Sequence, residues 1–201
     1  MRYNRDVPDA NLELIRRILG PNYLELRLTR LHTEEVPELA AKVVVEVTES
    51  GTAATMESEG VGPIDALWGA LVGRYAREYQ SLKSLELAGF TVSAAIESKR
   101  RRAGLDALAR VELAVHNSEG KHFTFHDESR SVTVSAARAV IAIAEYFVNA
   151  ERAFVTLFNA RKDALTRGRQ DLVARYTAEL AEVVKSTSYA EVIESLRKEL
   201  T

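Results

Sequence analysis

Apolar and polar positions alternate one by one in some stretches of the chain and recur every three to four residues in others, and the two rhythms separate strands from helices. Residues 9–19 carry Leu12, Ile15, Ile18 and Leu19 at helical spacing and stop at Gly20-Pro21, which predicts a short leading helix. Over residues 23–31, Leu24, Leu26 and Leu28 alternate with Glu25, Arg27 and Thr29, the pattern of a half-buried strand. Residues 42–48 alternate likewise, Ser50-Gly51 supplies a tight turn, and residues 52–59 are the predicted hairpin partner. A helix follows. Pro63 near its start has no N–H to lose, and Ile64, Leu67, Trp68, Leu71 and Tyr75 fall on one face.

The same order then returns. Residues 85–96 offer Phe90, Val92, Ala94 and Ile96 as an inward face, followed by a polar and basic loop over 97–104. Residues 110–115 and 121–125 predict a second hairpin, with Phe123 and Phe125 alternating against His122, Thr124 and His126. Val43, Val45 and Val47 reappear as Val111, Leu113 and Val115, and the turn at Ser50-Gly51 as a turn one residue longer around Glu119-Gly120. A long helix over about 131–164 carries the stripe Val140, Ile143, Phe147, Ala150, Phe154, Leu157 and Phe158. That stripe is too long and bulky for one small sheet to cover, so part of it is expected to face another helix or another subunit. Gly168 and Ser186-Thr187-Ser188 divide the remainder into two helices, the last opening on the capping pattern Ser188-Tyr189-Ala190-Glu191. The expected fold class is α+β: a tandem repeat of three strands and a helix, forming antiparallel sheet with helices on one face. The expected parts are an N-terminal helix (1–21), a regulatory-type domain of two units (22–83 and 84–165) and a C-terminal helical extension (166–201).

Composition narrows the function classes. At 201 residues and 46% hydrophobic content the chain can bury a proper core. It has no cysteine, which excludes disulfides and thiolate metal sites and points to a reducing cytoplasm. Residues 1–8 are polar and no apolar run approaches the roughly 20 residues of a membrane span, so a soluble, intracellular protein with no membrane partner is expected. A net charge of −2 gives no overall pull toward nucleic acid. No cysteine nucleophile, serine elbow, phosphate-loop lysine or paired carboxylates at a role-fixing spacing occur, so the chain reads as a non-enzyme without cofactors.

Three groups of residues could carry chemistry. The turn Gly60-Val61-Gly62-Pro63-Ile64-Asp65-Ala66 leads into a helix whose free N–H groups suit a small carboxylate, while Asp65 could accept from an ammonium group. Those are the two charges of a free amino acid; the plainer alternative is a glycine-shaped strand-to-helix joint with Asp65 well placed in the first turn. His116, His122 and His126 share the outer face of one hairpin, where a solvated surface is the expected role rather than a metal site. Lys99-Arg100-Arg101-Arg102 is a basic loop that could contact phosphate, though no aromatic stacking pattern accompanies it and a solubilising tip is the plainer reading.

The repeat and its turn resemble the C-terminal regulatory domain of 2-isopropylmalate synthase, shared with citramalate synthase. In that family each unit is three strands and a helix, and the first helix opens on Gly-x-Gly-Pro-x-Asp-Ala, matched here by residues 60–66 and continued by Leu67-Trp68-Gly69-Ala70-Leu71. The resemblance runs over about 23–160. It implies a dimerising sensor that binds a pathway end product, leucine or isoleucine, and passes inhibition to a separate catalytic barrel. A chain with the sensor and without that barrel is expected to act on another protein or simply to bind. Val61 stands where the family usually has a polar residue. At the second helix, Ser131, Ser135-Ala136, Ala139-Val140 and Ala142 replace an Asp, an Ala-Ser pair, an Ala-Tyr pair and an Asn.

The resulting expectation is a homodimeric, non-catalytic regulatory-type domain that binds a branched-chain amino acid through Gly60, Val61, Gly62, Pro63, Asp65, Ala66, Ser131 and Ser135. The alternatives are an interaction scaffold with a protein partner that has lost its ligand, and a nucleic-acid accessory using residues 99–102.

Overall fold

A computed structural model describes residues 4–5, 9–94 and 108–184. The basic run at 99–102, Ile96 and the capping pattern at 188–191 lie outside the described residues. In chain order the elements are β1 (Asn4–Arg5), α1 (Asp9–Leu19), a 3-10 turn (Gly20–Asn22), β2 (Leu26–Glu34), β3 (Ala41–Glu49), β4 (Thr52–Gly60), α2 (Pro63–Tyr75), α3 (Gln80–Lys83), β5 (Glu86–Ala94), β6 (Ala109–His116), β7 (His122–Ser129), α4 (Val132–Thr166) and α5 (Gln170–Val184). The fold is α+β, with the strand, strand, strand, helix order visible twice.

Two antiparallel sheets form, one ordered β2-β3-β4 and the other β1-β7-β6-β5. The central strands β3 and β6 place Val43, Val45 and Val47, and Val111, Leu113 and Val115, fully in the core, as alternation requires of a sheet with one covered face. The hairpin turns use left-handed backbone at Ser50-Gly51 and at Gly120. Pairing of the two-residue β1 with the outer side of β7 was not foreseen; it puts Asn4 opposite His126.

Each first strand carries a bulge at the same place. In β2, Leu28 pairs with Val47 and Arg30 with Glu46, leaving Thr29 as the extra residue; in β5, Leu87 pairs with Val115 and Gly89 with Ala114, leaving Ala88. One inserted residue swaps the two faces of a strand. Leu28 and Leu31 therefore both turn toward the core, although the simple alternation of Leu24, Leu26 and Leu28 predicts an outward-facing position 31. The strand also starts later than expected, at Leu26, because Leu24 bonds to α4 instead of to a neighbouring strand.

α2 lies on β3 and β4, whereas α4 lies on β6 and β7 and also reaches β2, α1, α2, α3 and α5. By length and apolar composition α4 could cross a membrane, yet most of its apolar window is buried by these neighbours and it is the central core helix. Phe147 meets Phe123 edge-on with ring centroids 5.1 Å apart, and Tyr146 meets Phe147 likewise at 5.2 Å. Polar side chains on α4 fasten the surrounding chain. Asn149 accepts from the Leu24 N–H and donates to the Leu24 carbonyl, both at 2.8 Å, while Glu145 accepts from Tyr23 Oη at 2.9 Å and the Leu26 N–H at 3.0 Å. Further along, Glu151 accepts from the Ser81 N–H and hydroxyl and caps α3. Gly168, at φ +68, ends α4 and lets α5 fold back along it, where Val183 packs with Phe154 and Leu157.

Candidate functional site

Gly60 is the last residue of β4 and lies against the first turn of α2. A Cβ there would collide with the Ala66 nitrogen and sit 2.7 Å from Asp65 Oδ2, so only glycine fits without moving the helix. Gly62, the N-cap residue, has extended backbone and open space around it. Pro63 occupies the first helical turn, where a missing N–H costs nothing, and the Ala66 N–H donates to the Gly62 carbonyl at 3.0 Å.

Asp65 is exposed, and its Oδ2 accepts from the Val61 N–H at 3.0 Å. This bond closes the turn on itself and sets a negative charge at the positive end of α2. Val61 is 94% exposed. Beside it lies an open recess of about 620 Å³ walled by Glu38, Leu39, Glu59, Gly60, Val61 and Asp65. Three carboxylates on one rim favour a cation, while the adjoining helix start favours an anion. Glu38 and Glu59 were not foreseen as part of this surface; Glu59 directly precedes Gly60, but Glu38 arrives from the β2–β3 turn, held at φ 66.

The matching joint in the second unit is Ser129, which pairs with Ala109 as Gly60 pairs with Ala41. Here serines satisfy one another. Ser129 Oγ donates to the Ser131 carbonyl at 2.9 Å and accepts from Ser135 Oγ at 2.8 Å, and the N-cap Ser131 side chain accepts from the Val134 N–H at 3.3 Å. Ser135 is fully buried and Ser131 is exposed.

The two helix openings meet. Ala66 and Leu67 of α2 and Ala136 and Ala137 of α4 share one buried cluster with Val43 and Val111, the equivalent residues of β3 and β6, roofed by Leu28, Leu31 and Ile64. The turns at 60–66 and 129–135 therefore stand at the two ends of a shared apolar contact, related by the internal repeat.

The three histidines share one face of the β6–β7 hairpin as expected, but His126 is not solvated. His116 and His122 are directly opposite each other, with rings 5.8 Å apart, and His116 Nε2 lies 3.1 Å from Glu86 Oε2. His126 is buried rather than solvated, at the point where β1 pairs alongside β7. Among the described residues no group of three His, Asp or Glu side chains is placed to hold a metal ion.

At the end of α2, Tyr75 is buried and its hydroxyl donates to Glu49 Oε1 at 2.6 Å. Burial, reinforced by that carboxylate, pushes the phenol well above its ordinary range.

With this geometry in hand, the chain matches the family model described as the LeuA allosteric (dimerisation) domain over residues 7–148. The chain belongs to that family. The matching family is a regulatory, dimerisation-type one and not a catalytic one. The matched span takes in α1, ahead of residue 23 where the resemblance was expected to begin, and stops inside α4, leaving the end of α4 and all of α5 beyond it. No curated protein matches the chain.

Proposed function

We propose that this chain is a non-catalytic regulatory domain of the cytoplasm that forms a homodimer and binds a branched-chain amino acid such as leucine. The observation that carries the reading is the meeting of the α2 and α4 openings around Val43 and Val111, within a chain of the LeuA allosteric (dimerisation) family. In this reading the α2 start receives the ligand carboxylate, Asp65 and the acidic rim of the recess receive its ammonium group, and Gly60, Val61, Gly62, Pro63 and Ala66 shape the loop. Ser131 and Ser135 complete the second side. In this reading the regulatory domain is built of two units, over 22–83 and 84–165.

The test is a thermal-shift series with a panel of free amino acids. A ligand at a hundred times its Kd stabilises the folded state by about 2.7 kcal/mol, which for a chain of this size raises Tm by roughly 5–10 °C. Leucine, isoleucine or valine should produce that rise and glutamate should not. Absence of any shift across the panel at millimolar concentration removes the ligand-binding reading.

A second reading, a dimerisation scaffold that has lost its ligand and holds a protein partner, is favoured by the hydrogen bonds that the candidate groups already make within the chain. Asp65 is engaged by Val61, and Ser129, Ser131 and Ser135 engage one another. A stable dimer by light scattering with no amino-acid response selects it.

A further inference from the structure

Strand β5 has an apolar face that the described residues cover only in part. Leu87, Phe90 and Val92 pair with Val115, Leu113 and Val111, each fully buried, so the three share the core-side face of the sheet. They are nevertheless 37%, 42% and 44% exposed. The equivalent residues of β2, Leu28 and Leu31, pack into the cluster of helix starts, and β2 as a whole rests on α4. β5 makes no comparable contact with α2 or α4.

Edge chemistry singles out the same strand. An exposed edge is ordinarily guarded by charge. β2 (LRLTRLHTE) carries Arg27, Arg30 and Glu34, and β4 (TAATMESEG) carries Glu57 and Glu59, whereas β5 (ELAGFTVSA) has a single charge, Glu86, at its first position. A strand that is apolar on its core side and unguarded along its edge is built to be covered.

We propose that the core-side face of β5 is the surface through which two copies of this chain associate, Leu87, Phe90 and Val92 of each copy covering those of the other about a two-fold axis. This rests on the homodimer reading given above. A second copy is the occupant because the family is a dimerisation family, and because an antiparallel strand of nine residues, about 30 Å long, matches itself under two-fold rotation. The three side chains form the apolar centre of such an isologous contact.

The test begins with light scattering of the unaltered chain, expected to give a dimer. Combined Phe90→Lys and Val92→Lys should weaken association by about a hundredfold or more, with the far-ultraviolet circular dichroism unchanged. Because the chain has no cysteine, crosslinking gives a second readout that needs no disruptive charge. At least one of Leu87→Cys, Phe90→Cys and Val92→Cys should yield covalent dimers on mild oxidation, while Thr52→Cys in the remote β3–β4 turn stays single. A dimer that survives the double lysine substitution and crosslinks at none of the three positions overturns the interface and leaves the homodimer reading intact. An unaltered chain that is monomeric removes the homodimer reading and this inference with it.

Discussion

In the first unit the helix opens from Gly60, whose backbone is pressed so closely on Ala66 that no side chain fits; in the second the same joint is Ser129, which has a side chain and uses it to tie Ser131 and Ser135 together. Both solutions end a strand and start a helix in equivalent places, with Gly62 and Ser131 as N-cap residues. The first leaves an acidic recess beside the joint, and the second closes on its own hydroxyls. A second difference lies further along. α2 stops at Tyr75 and is pinned there to Glu49, while α4 runs on for more than twice the length and uses Glu145 and Asn149 to hold the start of β2. Two copies of one plan have thus been divided into an open half and a clamping half.

The clamp is where the comparison breaks most easily. Asn149→Ala removes the partners of both the Leu24 N–H and its carbonyl, and should cost about 2–4 kcal/mol, read as a lower urea midpoint with unchanged slope. Next comes the joint itself. Gly60→Ala forces α2 away from β4 and should cost about 1–3 kcal/mol, whereas Ser129→Gly, the reciprocal change, should cost less than about 1 kcal/mol. Equal losses at the two positions would show that the joints are not built differently.

A comparably small effect is expected at Tyr75. Its folded-state pKa is raised above the ordinary 10.0, so its contribution to stability is fully present below pH 10 and is lost as the pH climbs beyond that value. Tyr75→Phe should cost about 0.5–1.5 kcal/mol at pH 7, through the lost hydrogen bond to Glu49, and should fall less steeply than the unaltered chain above pH 10. Parallel urea-denaturation curves for the two proteins from pH 7 to 11 would count against a buried, protonated phenol at the end of α2.

Much of the fold was legible because its central strands β3 and β6 are plain apolar alternations and its helices have clear stops at Gly20 and Gly168. The bulges were not, since Leu24, Leu26 and Leu28 continue an even alternation and only Leu31 betrays the change of face. Alternation likewise marked Phe90 and Val92 as inward without saying whether anything lies over them; coverage is a tertiary property. At the candidate site, the glycines and Asp65 announced a special joint through local sequence. Glu38 was invisible there because it comes from a different turn, and the partners of Ser135 could not be read because hydroxyls bond whatever the fold brings near. Polar Glu145 and Asn149, four residues apart amid an apolar helix, were the unread signal of buried work for α4.

The clamp between α4 and the start of β2 joins residues as far apart as 125 positions in the chain. During synthesis the opening strands must therefore wait, with Tyr23, Leu24 and Leu26 unsecured, until the ribosome has released α4. Such distant closure makes for slow folding and leaves the early half of the nascent protein to chaperones or to its own solubility. The guanidinium and carboxylate groups along β2 keep that waiting edge from pairing with its neighbours on the polysome.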